Sequence, residues 1–170
     1  MLAHVLLIVG VVKMKIFQCA RSVSLCLLSV ILGCSPVSAL ACTSFLLKAQ
    51  NGDFIYGRTL EFALPLNSQF LVVPRKLTIK AVGPDGKSGS GLVYKTKYGA
   101  IGANGLDLPI LVDGLNEKGL VAGMLFFPGL AQFQNVSAKD ASNSIASYEL
   151  VTYILTQFAS VEEVKTGLPK

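Results

Sequence analysis

Hydrophobic and polar positions change their spacing along the chain. Up to residue 41 the sequence is largely apolar, whereas beyond it short runs rich in β-branched and aromatic residues alternate with turn-forming residues. Towards the end, Leu150, Ile154 and Phe158 recur every four positions, which is the spacing of one helical face. Several strands followed by one or two helices predict an α+β fold.

The predicted strands are separated by segments rich in Gly and Asn. They cover 43–50, 54–60, 69–73, 92–97, 109–112 and 120–127, with turn-rich spacers at 83–86, 99–105 and 116–119. A second helix is expected to begin after Ser160, because residues 160–163 have the spacing of a capping box. Gly167 and Pro169 are expected to end it.

The first two strands are expected to form a β-hairpin, since Asn51-Gly52 between them is a strong signal for a two-residue turn. A type I′ turn centred there would place Cys42 opposite Glu61, and Phe45 opposite Arg58. Side chains alternate between the two faces of a strand, so Arg58 and Glu61 would lie on opposite faces. Both reach Cys42 only if the strand bends or bulges near 59–60.

The apolar N-terminal segment predicts a secretory signal over residues 1–41. Lys13, Lys15 and Arg21 give it a positive start, 23–33 is an apolar run, and 39–41 (Ala-Leu-Ala) has the small-x-small pattern of a cleavage site. The run is shorter than the roughly 20 residues that a membrane-spanning helix needs. Cleavage would leave 42–170 as one exported domain, periplasmic or secreted, without a membrane segment.

Charge and length narrow the class of protein once this leader is set aside. Of the 15 basic residues 12 remain, against all 10 acidic residues, so the net charge falls from +5 to +2. A basic stripe with interleaved aromatic residues is absent from the sequence, and we predict no nucleic-acid partner. The remaining length suits a single domain with one core.

Cys42 is the one cysteine beyond residue 41, because Cys19, Cys26, Cys34 and the lone histidine, His4, all lie in the leader. Their removal excludes Ser-His-Asp and Cys-His catalysis, an internal disulfide, and metal sites built on His or several Cys ligands. We predict no metal and no other cofactor. An N-terminal Cys42 would carry a thiol and an α-amine together. An α-amine has a pKa of about 7.7–8.0 and suits a general base, while a nearby Arg58 would favour the thiolate.

Cys42 also has two other interpretations. A lone cysteine is often a small buried hydrophobe, and a cysteine after a bacterial signal is sometimes acylated with lipid. The residues before Cys34 and before Cys42 both fit the Leu-small-small-Cys lipidation pattern poorly. Acylation of Cys42 would block its thiol and its amine. The chain would then be an exported lipid-anchored protein, or an inactive remnant, without catalytic activity.

Two acidic residues in the middle of the chain offer a weaker candidate for acid–base chemistry. Asp113 and Glu117 lie close together, but Asn116 and Gly119 beside them are typical of a turn. We therefore predict a structural role for both.

Four short motifs resemble the choloylglycine hydrolase family, in the same order and at similar spacing. They are Cys-Thr-Ser-Phe at 42–45, Gly-Arg-Thr-Leu-Glu at 57–61, Asn-Glu-Lys-Gly-Leu at 116–120 and Phe-Pro-Gly at 127–129. This family contains the bile salt hydrolases and penicillin V acylases, which are N-terminal-nucleophile hydrolases with an αββα sandwich. The resemblance covers essentially all of 42–168. It implies that the α+β fold is the N-terminal half of such a sandwich, built from antiparallel sheets.

The resemblance also implies roles for particular residues. Cys42 would attack a linear amide carbonyl with its own amine as the base, Arg58 would support the thiolate, and Glu61 would hold the amine where the family usually has aspartate. Phe126 stands where bile salt hydrolases commonly have Asn and penicillin V acylases Tyr, so its backbone N–H is the candidate oxyanion donor. The expected substrate is a small-molecule amide of the bile salt, penicillin V or N-acyl type. The family resemblance also allows a homo-oligomer.

Length sets the expected level of activity. Family members are more than twice as long as 42–170, and the resemblance places a further oxyanion-hole Asn and an active-site Arg beyond Lys170. The predicted helices also cannot cover both outer faces of a sandwich. Loss of one oxyanion donor typically lowers the rate by about 10²–10³. We therefore expect a truncated form with weak or no activity alone.

Overall fold

The computed structural model describes residues 42–62, 64–125 and 129–168. The strands are β1 Ser44–Lys48, β2 Phe54–Arg58, β3 Phe70–Val73, β4 Thr78–Val82, β5 Ser88–Lys95, β6 Ala100–Ala103, β7 Asp113–Asn116 and β8 Val121–Gly123. Two 3₁₀ turns, Ala141–Asn143 and Ser147–Glu149, precede α1 Leu150–Gln157 and α2 Val161–Gly167. Strands followed by helices confirm the predicted α+β order. The predicted leader, 1–41, lies outside the described residues.

The strands form three antiparallel sheets. β1 pairs with β2, β4 pairs with β5, and a four-stranded sheet has the order β3-β6-β7-β8. The core lies between this four-stranded sheet and α1. It consists of Val73, Ala100, Leu111, Leu120, Val151, Leu155 and Phe158.

The opposite face of the four-stranded sheet carries an exposed apolar row. Val72, Ile101, Leu115 and Val121 lie opposite one another across all four strands. Their exposure ranges from 38% to 66%. The next row on the same face, two residues along each strand, contains Asp113 opposite Gly123.

The predicted hairpin is confirmed, but its predicted register is wrong by one residue. The N–H of Gly52 donates to the oxygen of Ala49 (3.0 Å), and the N–H of Ala49 donates to the oxygen of Asp53 (2.7 Å). This is a three-residue loop with Gly52 at φ +91°, not a two-residue type I′ turn. Phe45 consequently lies opposite Gly57 and not opposite Arg58.

The helix predicted around Leu150 is confirmed, although its buried face differs from the predicted one. Val151 and Leu155 are buried, whereas Leu150 is exposed. Phe158 enters the core from an extended backbone after the helix has ended, so it does not share the helical face of Leu150.

The predicted capping box at the beginning of α2 is confirmed for the Ser160 cap, whereas the Glu163 side chain reaches the residue before the N-cap. The Ser160 hydroxyl accepts the N–H of Glu163 (3.2 Å), and the Glu163 carboxylate accepts the N–H of Ala159 (2.8 Å). Gly167 is the last helical residue. Pro169 lies outside the described residues.

Sequence patterns missed two strands and misplaced another. β4 was not predicted, β6 falls within the predicted spacer 99–105, and the strand expected at 109–112 begins only at Asp113. Gly102 and Gly114 explain the error at β6, because they face each other where a Cβ on Gly102 would contact the Asp113 oxygen. These glycines permit close strand approach, and do not mark a turn.

Candidate functional site

Cys42 lies just before β1 and is held to the end of the hairpin. The N–H of Thr59 donates to the oxygen of Thr43 (2.9 Å), and the N–H of Thr43 donates to the Thr59 hydroxyl (3.1 Å). The half-buried Cys42 thiol donates to the main-chain oxygen of Glu61 (3.3 Å). Glu61 therefore lies beside Cys42 and contacts it through its carbonyl, although the observed register, which joins Thr43 to Thr59, does not place Glu61 directly opposite Cys42.

The observed register changes how Arg58 relates to Cys42. Arg58 lies opposite Ser44, and Cys42 is two residues before Ser44. Alternation along the strand therefore assigns Cys42 and Arg58 to the same face of the hairpin. The bulge near 59–60 that the predicted register required is not needed for this pair.

Arg58 is almost completely buried and is held at several points. Its Nη1 donates to the main-chain oxygen of Met124 (2.9 Å), and its Nε donates weakly to the oxygen of Thr59 (3.4 Å). Nε also lies 3.6 Å from Oδ2 of Asp113, with side-chain exposures of 5% for Arg58 and 20% for Asp113. Nη2 is buried and has no hydrogen-bond partner among the described residues.

Asp113 is the site residue that the sequence analysis missed. The turn interpretation was wrong for Asp113, because this residue begins β7 and pairs with Arg58. The available signal was an acidic residue directly after the apolar segment 109–112. Such a carboxylate, in a strand that borders the core, requires a cationic partner when it is largely buried.

The turn interpretation holds for Glu117. Its carboxylate accepts hydrogen bonds from the guanidinium of Arg75 and from the N–H of Gly99 (3.0 Å). These two donors, the guanidinium first, hold the pKa of Glu117 below its ordinary value. Glu117 therefore ties the β7–β8 turn to neighbouring loops and takes no part in the site.

Tyr56 brings the hairpin against the four-stranded sheet. It lies two residues before Arg58 and so shares its face of β2. Its hydroxyl occupies the space that a Cβ on Gly123 would fill, and that Cβ would lie 3.4 Å from the Cβ of Asp113. The hairpin thus rests on β7 and β8 through Tyr56 and Arg58.

The roles predicted for Phe126 and for the Glu61 carboxylate stay predictions. Phe126, the candidate oxyanion donor, lies outside the described residues. Within the described ranges the Glu61 carboxylate makes no hydrogen bond or ion pair.

The described part of the chain contains no group of three His, Cys, Asp or Glu residues that could hold a metal ion. It also contains no helix with the length and apolarity needed to cross a membrane. The chemistry of the site comes from a half-buried thiol and a buried guanidinium with one unused nitrogen. A cation of this kind stabilises a thiolate or another anion that forms nearby.

Comparison with protein families gives a match over residues 42–170. The matching family is described as linear amide C–N hydrolases, choloylglycine hydrolase family. The match begins at Cys42 and includes all the site residues above.

Characterised relatives give the same result. The chain is 31% identical over 129 residues to the bile salt hydrolase/transferase of Clostridium perfringens, covering 75% of this chain and 37% of that protein. It is 32% identical over 166 residues to the penicillin V acylase of Pectobacterium atrosepticum, covering 92% of this chain and 40% of that protein. The chain therefore spans well under half the length of these relatives.

Solved structures agree on the fold. A mutant of the conjugated bile acid hydrolase from Clostridium perfringens matches with a TM-score of 0.56 and 26% identity, over 75% of this chain and 37% of that one. A second variant of the same enzyme matches with a TM-score of 0.55. These matches confirm the predicted sandwich fold class with antiparallel sheets.

Proposed function

The chain belongs to the choloylglycine hydrolase family of linear amide C–N hydrolases, and we propose that it hydrolyses a linear amide with Cys42 as the nucleophile. The observation that carries the proposal is the hydrogen-bonded Cys42 thiol on the same hairpin face as the buried Arg58. The family match beginning at Cys42 supports it further.

In this mechanism a signal peptidase cuts after Ala41, and Cys42 becomes the first residue of an exported protein. The free α-amine takes the thiol proton, and the thiolate attacks the amide carbonyl carbon. A tetrahedral oxyanion forms and collapses to a thioester, while the leaving amine takes the proton. Water then attacks the thioester, which releases the acid and restores the thiol.

The remaining site residues stabilise the charged groups of this scheme. Arg58 stabilises the thiolate, since a buried cation favours an adjacent anion. The Glu61 carboxylate holds the N-terminal amine after cleavage, and the backbone N–H of Phe126 donates to the oxyanion.

The proposed substrate is a small-molecule amide. Relatives named bile salt hydrolase and penicillin V acylase support this class, and give two compounds for a first assay, a conjugated bile acid and penicillin V. Because the chain spans 37% to 40% of those relatives, we propose that hydrolysis by the chain alone is weak or absent.

N-terminal sequencing of the exported protein tests the first step. We expect a mature start at Cys42, in the periplasm or the medium. A start at any other residue would overturn the mechanism. A diacylglycerol adduct on Cys42 in a mass spectrum would favour the lipid-anchored alternative, because acylation removes both reactive groups.

An amide hydrolysis assay tests the proposed chemistry. Because the expected rate is low, the assay uses prolonged incubation and detects the products by mass spectrometry. Cys42→Ala should abolish release of the amine product, and Arg58→Gln should reduce it. Arg75→Gln is the matched control, because Arg75 is also paired with a carboxylate but lies outside the site. Hydrolysis that survives Cys42→Ala would contradict the assigned nucleophile.

A further inference from the structure

The guanidinium of Arg58 has a fixed orientation, and Asp113 contributes to it. An arginine side chain presents five N–H groups in a planar fork, so contacts on one edge determine where the other nitrogens point. Here Nε lies 3.6 Å from the Asp113 carboxylate and Nη1 donates to the Met124 oxygen at 2.9 Å. Nη2 is the nitrogen left over.

An unused N–H in such a position points to a partner that forms during the reaction. Buried donors are nearly always hydrogen-bonded, and each unsatisfied group carries a free-energy penalty. The side chain of Arg58 is only 5% exposed, so solvent does not readily supply the missing acceptor. The thiolate of Cys42 would be such an acceptor on the same hairpin face.

We propose that Asp113 is a positioning residue, which together with the Met124 carbonyl orients Arg58 so that Nη2 is available to the anion formed at Cys42. The inference rests on the proposed function in taking Cys42 as the reacting group. Asp113 itself does not contact the substrate in this scheme and acts through Arg58.

Asp113 could act by positioning Arg58 or only by neutralising its charge. These two roles predict opposite effects on the reactivity of the Cys42 thiol when the carboxylate is removed. A carboxylate that only reduces the positive charge around Cys42 disfavours the thiolate, so its removal would speed reactions of the thiol. A carboxylate that holds Arg58 in place has the reverse effect, because Arg58 moves away when it is lost.

Site-specific alkylation measures this difference without any amide substrate. The full chain, with Asp113→Asn, Arg58→Gln and the double change, is treated with iodoacetamide at pH 7, and the Cys42 peptide is quantified by mass spectrometry. We expect alkylation to fall by about threefold to tenfold for Asp113→Asn, as expected for a lost interaction with a neighbouring cation. In the Arg58→Gln background, Asp113→Asn should cause no further fall. Glu117→Gln, which also removes a carboxylate paired with an arginine, should leave alkylation unchanged.

Two results would overturn the inference: faster or unchanged alkylation in Asp113→Asn, or an equal loss with and without Arg58. If thermal melting shows that Asp113→Asn does not fold, Asp113→Glu replaces it in the same cycle. Asp113→Glu keeps the charge but displaces the carboxylate by one methylene, so a positioning role still predicts slower alkylation that depends on Arg58. Coupling seen in alkylation together with hydrolysis that survives Cys42→Ala would contradict the proposed function alone, since the alkylation readout needs no amide cleavage.

Discussion

The side-chain nitrogen of Asn116 donates a hydrogen bond of 2.7 Å to the main-chain oxygen of Phe158, which joins the end of β7 to the end of α1. The same nitrogen donates to the oxygen of Leu155 (2.9 Å). On its other side, the amide oxygen accepts the N–H groups of Lys118 (2.9 Å) and Leu120 (3.1 Å). One buried side chain therefore satisfies four main-chain groups, two in the turn between β7 and β8 and two at the end of α1.

Replacing Asn116 should be among the most destabilising changes in the chain. Asn116→Ala leaves two carbonyls and two N–H groups without their partner in a buried region, and we expect the free energy of unfolding to fall by about 2–4 kcal/mol. Urea denaturation followed by circular dichroism measures the change. Asn135→Ala, at an exposed loop position, should have an effect within about 0.5 kcal/mol. Equal losses for the two variants would contradict the role assigned to Asn116.

Ser160→Ala should weaken the beginning of α2. The substitution removes the hydroxyl that accepts the N–H of Glu163, and loss of such a cap typically lowers the free energy of unfolding by about 1 kcal/mol. The same denaturation experiment checks it, with Ser142→Ala at an exposed position as the control. A stability equal to that of the control variant would show that the cap does not contribute.

Gly123→Ala should separate the hairpin from the sheet, because the added methyl group contacts the Tyr56 hydroxyl. In an ordinary strand alanine is more favourable than glycine by about 0.5–1 kcal/mol. A loss of stability in Gly123→Ala would therefore indicate the steric contact with Tyr56 and not the intrinsic preference of the strand. We expect a loss, together with slower alkylation of Cys42. Gly99→Ala is the control, since its nearest neighbour would be the Val73 oxygen at 3.7 Å.

Tyr56→Phe provides a second test of the same contact. It removes the hydroxyl, and the nearest remaining ring atom, Cζ, would lie 3.4 Å from the methyl group of an alanine at position 123. Gly123→Ala should therefore cost less stability in the Tyr56→Phe background than in the unaltered chain. Additive losses would mean that the clash lies elsewhere.

Tyr94 should make the chain sensitive to alkaline pH. Burial raises the pKa of Tyr94 to about 12, and Tyr153, whose ring packs edge-on at 5.0 Å, is among its neighbours. Because the folded-state pKa lies above the ordinary value of about 10, the unfolded chain loses the Tyr94 proton at a lower pH than the folded chain does. The contribution of the protonated Tyr94 to the free energy of unfolding is therefore fully present below pH 10 and is lost as the pH rises through about 12. Tyr94→Phe should remove this part of the alkaline decrease, measured by urea denaturation at several pH values. Tyr148→Phe, at a more exposed tyrosine, should retain it.

Sequence patterns identified the elements whose signals are local. The Ser160 cap and the α1 helix depend on spacing within a few residues, and both were predicted correctly. The hairpin register depended on the choice between a two-residue and a three-residue loop around Asn51-Gly52. Because side chains alternate between the two faces of a strand, that difference of one residue decides whether Arg58 lies on the same face of the hairpin as Cys42.

The rest depended on contacts between distant parts of the chain. Asp113 resembled a turn residue because its partner, Arg58, lies on another sheet and far away in the sequence. Gly102 similarly indicated a loop, because its close approach to Gly114 exists only after β6 and β7 have paired. Local patterns contain neither kind of information.

The apolar row of Val72, Ile101, Leu115 and Val121 has a practical consequence. Because it crosses every strand of the sheet, the four side chains form one continuous strip. Each Å² of apolar surface removed from water contributes about 25 cal/mol, so in concentrated solution chains gain free energy by covering this strip with one another. The strip therefore favours self-association of the chain, and this tendency increases with protein concentration.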